Sequence, residues 1–232
     1  VIRLKPEHIS AYSLIIEKGT PFYEKYKFDM VRQEAGMQTE LLPTEEDTYK
    51  MLKLTQVVLA KAGYGRYEIS NYAKPGYECR HNIGYWTREN YLGLGLGAAS
   101  LVDNVRYSNT RELDEYTAIC HDLTILPPEA FAPEDGMAAP ERNWFGSNLH
   151  TEASVVSRKS QMEEFMFLGL RMTDGIARDE FEHNFGMPIE AAYVQVLPEL
   201  QAQGLIEKRE GRIYLTDRGM DVANYVMAQF LL

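Results

Sequence analysis

Cysteine is scarce in this 232-residue chain, which holds only Cys79 and Cys120. Two thiols do not make a disulfide framework, so a reducing, cytoplasmic setting is the expectation. Positive charge is also in short supply. Lys and Arg number 24 against 34 Asp and Glu, a formal net charge of −10. That balance argues against a large nucleic-acid interface and against a surface that adheres broadly to anionic lipid. No apolar run approaches the roughly 20 residues of a membrane span, and no signal-peptide pattern is present, so an integral membrane protein is not expected. A starting Met is missing as well: the chain opens on Val1 and turns apolar almost at once, as expected of a piece entered inside a fold. What is present is 45% hydrophobic and 25% charged, a composition suited to one or two globular domains.

The first half reads as α/β. "HISAYSLIIE" (8–17) is a mostly apolar run that predicts a buried strand, followed by turn chemistry in "GTPFY". In the helix predicted next, Thr44 and Asp47 resemble a capping box, Met51, Leu54, Val58 and Ala62 share one face, and Gly63 is a stop. "YGRYEISNYA" then predicts a second strand, and strand, helix, strand in that order suggests a βαβ unit in a parallel sheet. In "YLGLGLGAAS" (91–100) the glycines fall as G-x-G-x-G, which is not a dinucleotide fingerprint. They mark either a tightly packed strand or bend, or a place where backbone approaches a ligand closely.

From 121 to 159 the composition shifts. Pro127, Pro128, Pro133, Pro140 and Gly136 predict a linker or insertion, with Trp144 and Phe145 as local anchors. The tail, 160–232, is regular again. A Ser160/Glu163 capping box precedes an apolar helix, a short helix carries Phe181 and Phe185 on one face, and a longer one (188–203) turns Tyr193, Val196 and Leu200 inward with a kink at Pro198. Glu210-Gly211 sits at a turn between two strands, and a last helix runs through Val222, Val226 and Phe230. Helix, helix, hairpin is the winged-helix order, common among DNA-binding proteins. Charge opposes that use. Residues 161–232 carry six Lys or Arg against twelve Asp or Glu, a net of −6, and the second helix has no cation to meet phosphate. A docking or capping domain is the better reading.

The chemistry-bearing stretch is "YECRHNIGYW" (77–86), read as a loop. His81 is a potential metal ligand, Asn82 a hydrogen-bonding amide, and Tyr85 and Trp86 are flat apolar rings with polar tips. Taken alone, such a histidine is more often a hydrogen-bonded rim residue of a core. Cys79 is a rival soft ligand. The histidines at 8, 121, 150 and 183 show no pairing at metal-ligand spacing and read as structural or solvated.

The sequence resembles the C-terminal two-thirds or so of the HemW haem chaperones, radical S-adenosylmethionine (SAM) proteins related to oxygen-independent coproporphyrinogen III oxidase. Five blocks carry the resemblance: "HISAYSLIIEKGTPFY", "YEISNYAKPGYECRHNIGYW", "YLGLGLGAAS", "EEFMFLGLRMTDGI" and "LTDRGMDVANYV". It implies the C-terminal part of a partial (β/α) barrel over 1–120, the insertion over 121–159, and a small, mainly helical, winged-helix-like domain over 160–232. "HNIGYW" matches the family's H-N-x-x-Y-W haem motif at each defined position, which implies haem contact by His81, Asn82, Tyr85 and Trp86, with His81 on the iron. By position, Ile15 and Ala99 would touch SAM. The family's Cys-x3-Cys-x2-Cys motif, which holds a 4Fe-4S cluster, has no counterpart among these residues, so no cluster is expected on this chain by itself. The implied function is to bind haem and deliver it to haem-requiring acceptor proteins, membrane-associated ones among the candidates, with a homodimer one assembly open to the intact protein. The alternative is the oxidase itself, which would decarboxylate coproporphyrinogen III by radical chemistry. True oxidase activity is not expected, and none from this chain alone.

Overall fold

The computed structural model describes residues 1–126 and 146–232. The prolines at 127, 128, 133 and 140, together with Gly136, Trp144 and Phe145, lie outside the described residues. The chain forms two compact units, Val1–Cys79 and Arg80–Leu232, a division that differs from the expected boundaries at 120 and 160.

In the first unit a single 3₁₀ turn leads to strand β1 (His8–Ser10), helices α1 (Pro21–Glu34) and α2 (Glu45–Lys61), and strands β2 (Gly65–Arg66) and β3 (Asn71–Ala73). α1 was not foreseen, although Thr20 and Pro21 write its start: the Thr20 hydroxyl accepts the Tyr23 N–H at 3.2 Å, and Pro21 needs no N–H there. α2 begins as expected, with the Thr44 hydroxyl accepting from Asp47 N–H at 3.1 Å. Of the four residues expected to share a face, Met51, Leu54 and Val58 are exposed and Ala62 packs beside the core, where Leu59 is buried against Tyr64 and Tyr72. The helix carries more apolar surface than the three short strands of this unit can cover.

The expected parallel pairing is also corrected. β3 lies between β1 and β2 and is antiparallel to both. The single strand predicted over 64–73 turns back on itself, with Arg66 donating to the carbonyls of Glu68 and Ile69 inside the bend. β1 stops at Ser10, not near residue 17, because β3 ends there as well. The last bond between them runs from the Ala11 N–H to the Ser70 carbonyl at 2.9 Å, and beyond it Tyr12, Leu14 and Ile15 are exposed.

The second unit opens on helix α3 (Arg80–Trp86) and continues through the hairpin β4 (Ala99–Val102) and β5 (Val105–Asn109). Asp103 and Asn104 both take positive φ in its two-residue turn, the geometry that suits the right-handed twist of the strands. After α4 (Leu113–His121), strands β6 (Ile125–Leu126) and β7 (Gly146–Ser147) pair, and β8 (His150–Val155) pairs with β5. The expected linker therefore ends in sheet structure: β7 and β8 fall within 121–159.

The remainder is α5 (Arg158–Gly169), β9 (Ile176–Ala177), α6 (Arg178–Phe185), α7 (Ile189–Ala192), α8 (Val196–Ala202), β10 (Ile206–Arg209), β11 (Arg212–Leu215), α9 (Asp217–Asp221) and α10 (Ala223–Ala228). This is the winged-helix order, with β9 added to the hairpin. Glu210 and Gly211 form the turn at positive φ as expected, and Phe181 and Phe185 are buried side by side, ring centroids 4.7 Å apart. Three boundaries move. The N-cap of α5 is Ser157 rather than Ser160, accepting the Ser160 N–H at 3.1 Å. Residues 188–203 make two helices, and Pro198 lies in the first turn of the second, where no intrahelical N–H is needed. The last helix likewise divides at Val222. The core of this part is Met166, Phe181, Ile189, Tyr193, Leu200, Ile213, Val226 and Phe230, all nearly inaccessible.

Candidate functional site

"RHNIGYW" is a seven-residue helix, not a loop. The correction has a clear source: His81 and Tyr85 stand four apart, as do Asn82 and Trp86, so each pair shares a helix face. A helix this short is marginal in water and depends on tertiary contacts. Its end is a Schellman closure. The Glu89 N–H reaches the Gly84 carbonyl at 2.9 Å and the Arg88 N–H reaches that of Tyr85 at 3.2 Å, with Arg88 at φ 56°.

The two faces have different surroundings. His81 is exposed, and its ring meets Tyr85 edge to face at 4.7 Å. Tyr85 in turn meets Tyr91 edge to face at 4.6 Å. The result is a ladder of three aromatic rings that begins with an accessible imidazole. On the other face, Trp86 is half-buried beneath the Arg171 guanidinium, 4.2 Å from the ring centroid, a favourable cation–π geometry. The Trp86 indole N–H is buried with no hydrogen-bond partner among the described residues. Asn82 is half-buried.

Tyr91 belongs to the stretch "YLGLGLGAAS". Its N–H and carbonyl pair with Leu101, and Gly93 packs so tightly that a Cβ would stand 2.3 Å from the Ala99 carbonyl oxygen. The Asn109 amide ties the bend by donating to the carbonyls of Gly93 and Gly95 at 3.3 and 2.8 Å. Gly93 thus serves close backbone packing, whereas Gly95 and Gly97 take positive φ, 99° and 64°, with no backbone atom close to where a Cβ would stand. Ala99 is exposed on β4. In the first unit, Ile15 is 81% exposed. A cleft of about 410 Å³ beside it is lined by Tyr12, Leu14, Ile16, Met51 and Leu52, but not by Ile15. Cys79 is half-buried and Cys120 exposed, both as free thiols.

Sequence reasoning missed Tyr91, Arg171, Arg88 and Glu164. The last two are joined by an ion pair that ties the end of α3 to α5, Nε to Oε2 at 2.8 Å. No local pattern marks any of these contacts. A weak trace existed in "EEFMFLGLRM", where Glu164 stands among apolar residues.

The fold and this site define a class. Residues 156–222 match the family described as HemN C-terminal domain. Over nearly its whole length the chain is similar to proteins named heme chaperone HemW. It is 38% identical over 230 residues to the heme chaperone HemW of Escherichia coli (strain K12), covering 99% of this chain and 51% of that one. To the heme chaperone HemW of Lactococcus lactis it is 34% identical over 231 residues, covering all of this chain and 52% of that protein. The chain spans about half the length of the curated relatives it matches. Among solved structures, coproporphyrinogen III oxidase (HemN) from Escherichia coli, described as a radical SAM enzyme, superposes with a TM-score of 0.62 at 15% identity, over 99% of this chain and 49% of that one. That likeness establishes the α/β fold.

Proposed function

We propose that this chain is the haem-contacting part of a haem chaperone, which receives haem as cargo and hands it to haem-requiring proteins. The observation that carries the reading is the accessible imidazole of His81 at the head of the His81–Tyr85–Tyr91 ladder. A neutral imidazole is a common axial ligand of haem iron. Rings set edge to face beside it supply apolar surface for the porphyrin without moving. Similarity to proteins named heme chaperone HemW over nearly the whole chain supports the same reading.

Within the proposal the motif residues have separate tasks. His81 meets the iron and Tyr85 covers porphyrin edge. Each ~50 Å² of apolar area so buried contributes about 1.3 kcal/mol at ~25 cal/mol per Å². One face of Trp86 is taken by Arg171, so its task is to anchor the helix, with an indole edge left for cargo. Asn82 supplies a hydrogen-bonding amide. Ile15 and Ala99 stay candidates for apolar contact with SAM, which in the intact protein would accompany a 4Fe-4S cluster. The thiols here do not fit a cluster, which needs several placed together, and no step is routed through one. The intact protein's acceptors, its cytoplasmic setting, a homodimer, and a division of labour at 1–120, 121–159 and 160–232 are parts of the same proposal. Among the described residues no helix is long and apolar enough to cross a membrane.

The test is titration of the full-length protein with hemin. His81→Ala is expected to shift the Soret and visible bands and to weaken binding partly, because the rings retain affinity. An unchanged spectrum and affinity would remove His81 from the iron. Turnover of coproporphyrinogen III by the full-length protein with SAM and reductant would replace the chaperone reading with the oxidase one.

A further inference from the structure

α3 is held to the body of its unit at two points. Trp86 lies beneath Arg171. Two residues on, Arg88 occupies the left-handed position that closes the helix, where Gly or Asn is the usual choice. That conformation costs an ordinary side chain stability, yet an arginine stands there, and its guanidinium is committed. Nε donates to Glu164 Oε2 at 2.8 Å and Nη2 to Asn104 Oδ1 at 3.2 Å. The second oxygen of Glu164 accepts from Arg106 Nη2 at 2.9 Å. Glu164 is only 7% exposed, so a carboxylate on α5 is clamped by guanidinium groups from two other stretches of chain.

A buried ion pair of this kind adds little net stability relative to apolar packing, because desolvation offsets the attraction. What it does supply is direction: charge-assisted hydrogen bonds at both carboxylate oxygens hold the partners in one geometry. We infer that Glu164 and Arg171 are positioning residues for the haem contact, setting where α3 lies and so where the His81 imidazole stands. This rests on the proposal that His81 meets the iron. The C-terminal helical part then belongs to the haem site, not to a detached docking domain. Glu164 lies outside the aromatic core around Phe181, Tyr193 and Phe230, so its replacement disturbs α3 before it disturbs that core.

The full-length protein titrated with hemin, with the Soret band and the low-spin fraction by electron paramagnetic resonance as readouts, tests this. Glu164→Gln and Arg171→Ala are each expected to weaken hemin binding about tenfold, the loss typical when a group supporting a metal ligand is removed. Both should also shift the bands toward those of His81→Ala. Arg171→Lys, which keeps a cation over Trp86, should restore most of the parent signal. Placed on top of His81→Ala, neither substitution should add to the shift. If His81→Ala changes the spectrum while Glu164→Gln and Arg171→Ala bind hemin as the parent does, or lose only thermal stability, the inference is overturned. If His81→Ala itself changes nothing, the haem reading at His81 has failed instead. Should Glu164→Gln fail to fold by circular dichroism, Glu164→Asp keeps the charge, shortens the reach, and faces the same two outcomes.

Discussion

At the scale of single residues, His150 shows how burial decides a histidine's role. It sits on β8 with its ring against Tyr107, centroids 4.2 Å apart, and its Nδ1 accepts the Ser147 N–H at 3.2 Å. Burial pushes its pKa below the usual 6.5. The native state therefore resists a proton that the unfolded chain accepts. The contribution of the neutral ring is present above about pH 6.5 and is lost as pH falls through the depressed native value. The melting temperature of the parent should drop more steeply between about pH 6.5 and 5 than that of His150→Phe, which keeps a ring and loses the titration. Parallel curves would show that His150 does not govern the acid limb. His81, by contrast, is exposed on α3, and accessibility is what the proposed haem contact requires.

Elements in this protein are closed by specific residues, and the closures differ in what they tolerate. α9 starts at Thr216, whose hydroxyl accepts the Gly219 N–H at 3.0 Å. Gly219 packs against the strand side of the hairpin so closely that a Cβ would stand 1.9 Å from the Leu205 carbonyl oxygen. Gly204, at φ 68°, has open space where a Cβ would go. Gly219→Ala should therefore cost about 3 kcal/mol by overpacking, against about 1 kcal/mol for Gly204→Ala, where only the left-handed backbone resists. Urea denaturation of the two variants distinguishes them, and equal losses would contradict the close approach at Leu205. The Ser157 cap of α5 is of the smaller kind, with removal of such a cap worth about 1 kcal/mol.

For the whole molecule, charge decides what the winged-helix order is used for. Residues 161–232 carry a net charge of −6. Glu190 is shared by Arg178 and Lys208 at 2.7 and 3.1 Å, Arg212 donates to the carbonyls of Asp174 and Gly175 and Arg171 lies over Trp86, so most of the six cations of this part are already engaged. The chain is expected to give no sequence-specific, salt-dependent shift of duplex DNA in a gel assay. A specific shift would return the winged helix to its more usual employment. Within this part, Glu164 of α5 is paired with Arg88 at the end of α3, 2.8 Å apart.

Local chemistry was legible wherever it acts over a few residues. Thr44 before α2, the Glu210-Gly211 turn, the Phe181/Phe185 face and the α/β character all follow from spacing, because capping, turn formation and helix amphipathicity involve neighbours in the chain. The four chemistry-bearing residues of "HNIGYW" were visible for the same reason, as a compact chemical set. Their helical form was not, since a seven-residue helix exists only through its docking. The antiparallel order β1-β3-β2 was missed because strand pairing joins distant segments. Likewise, Arg88 and Glu164 stand 76 positions apart, and Trp86 is separated from Arg171 by a hairpin, two helices and more. No periodicity records such a contact. The sequence by itself offered a compact set of chemistry-bearing side chains at 81–86. Tertiary packing alone decided that His81 is exposed while Trp86 lies beneath Arg171, because a helix face is chosen by what it can bury against.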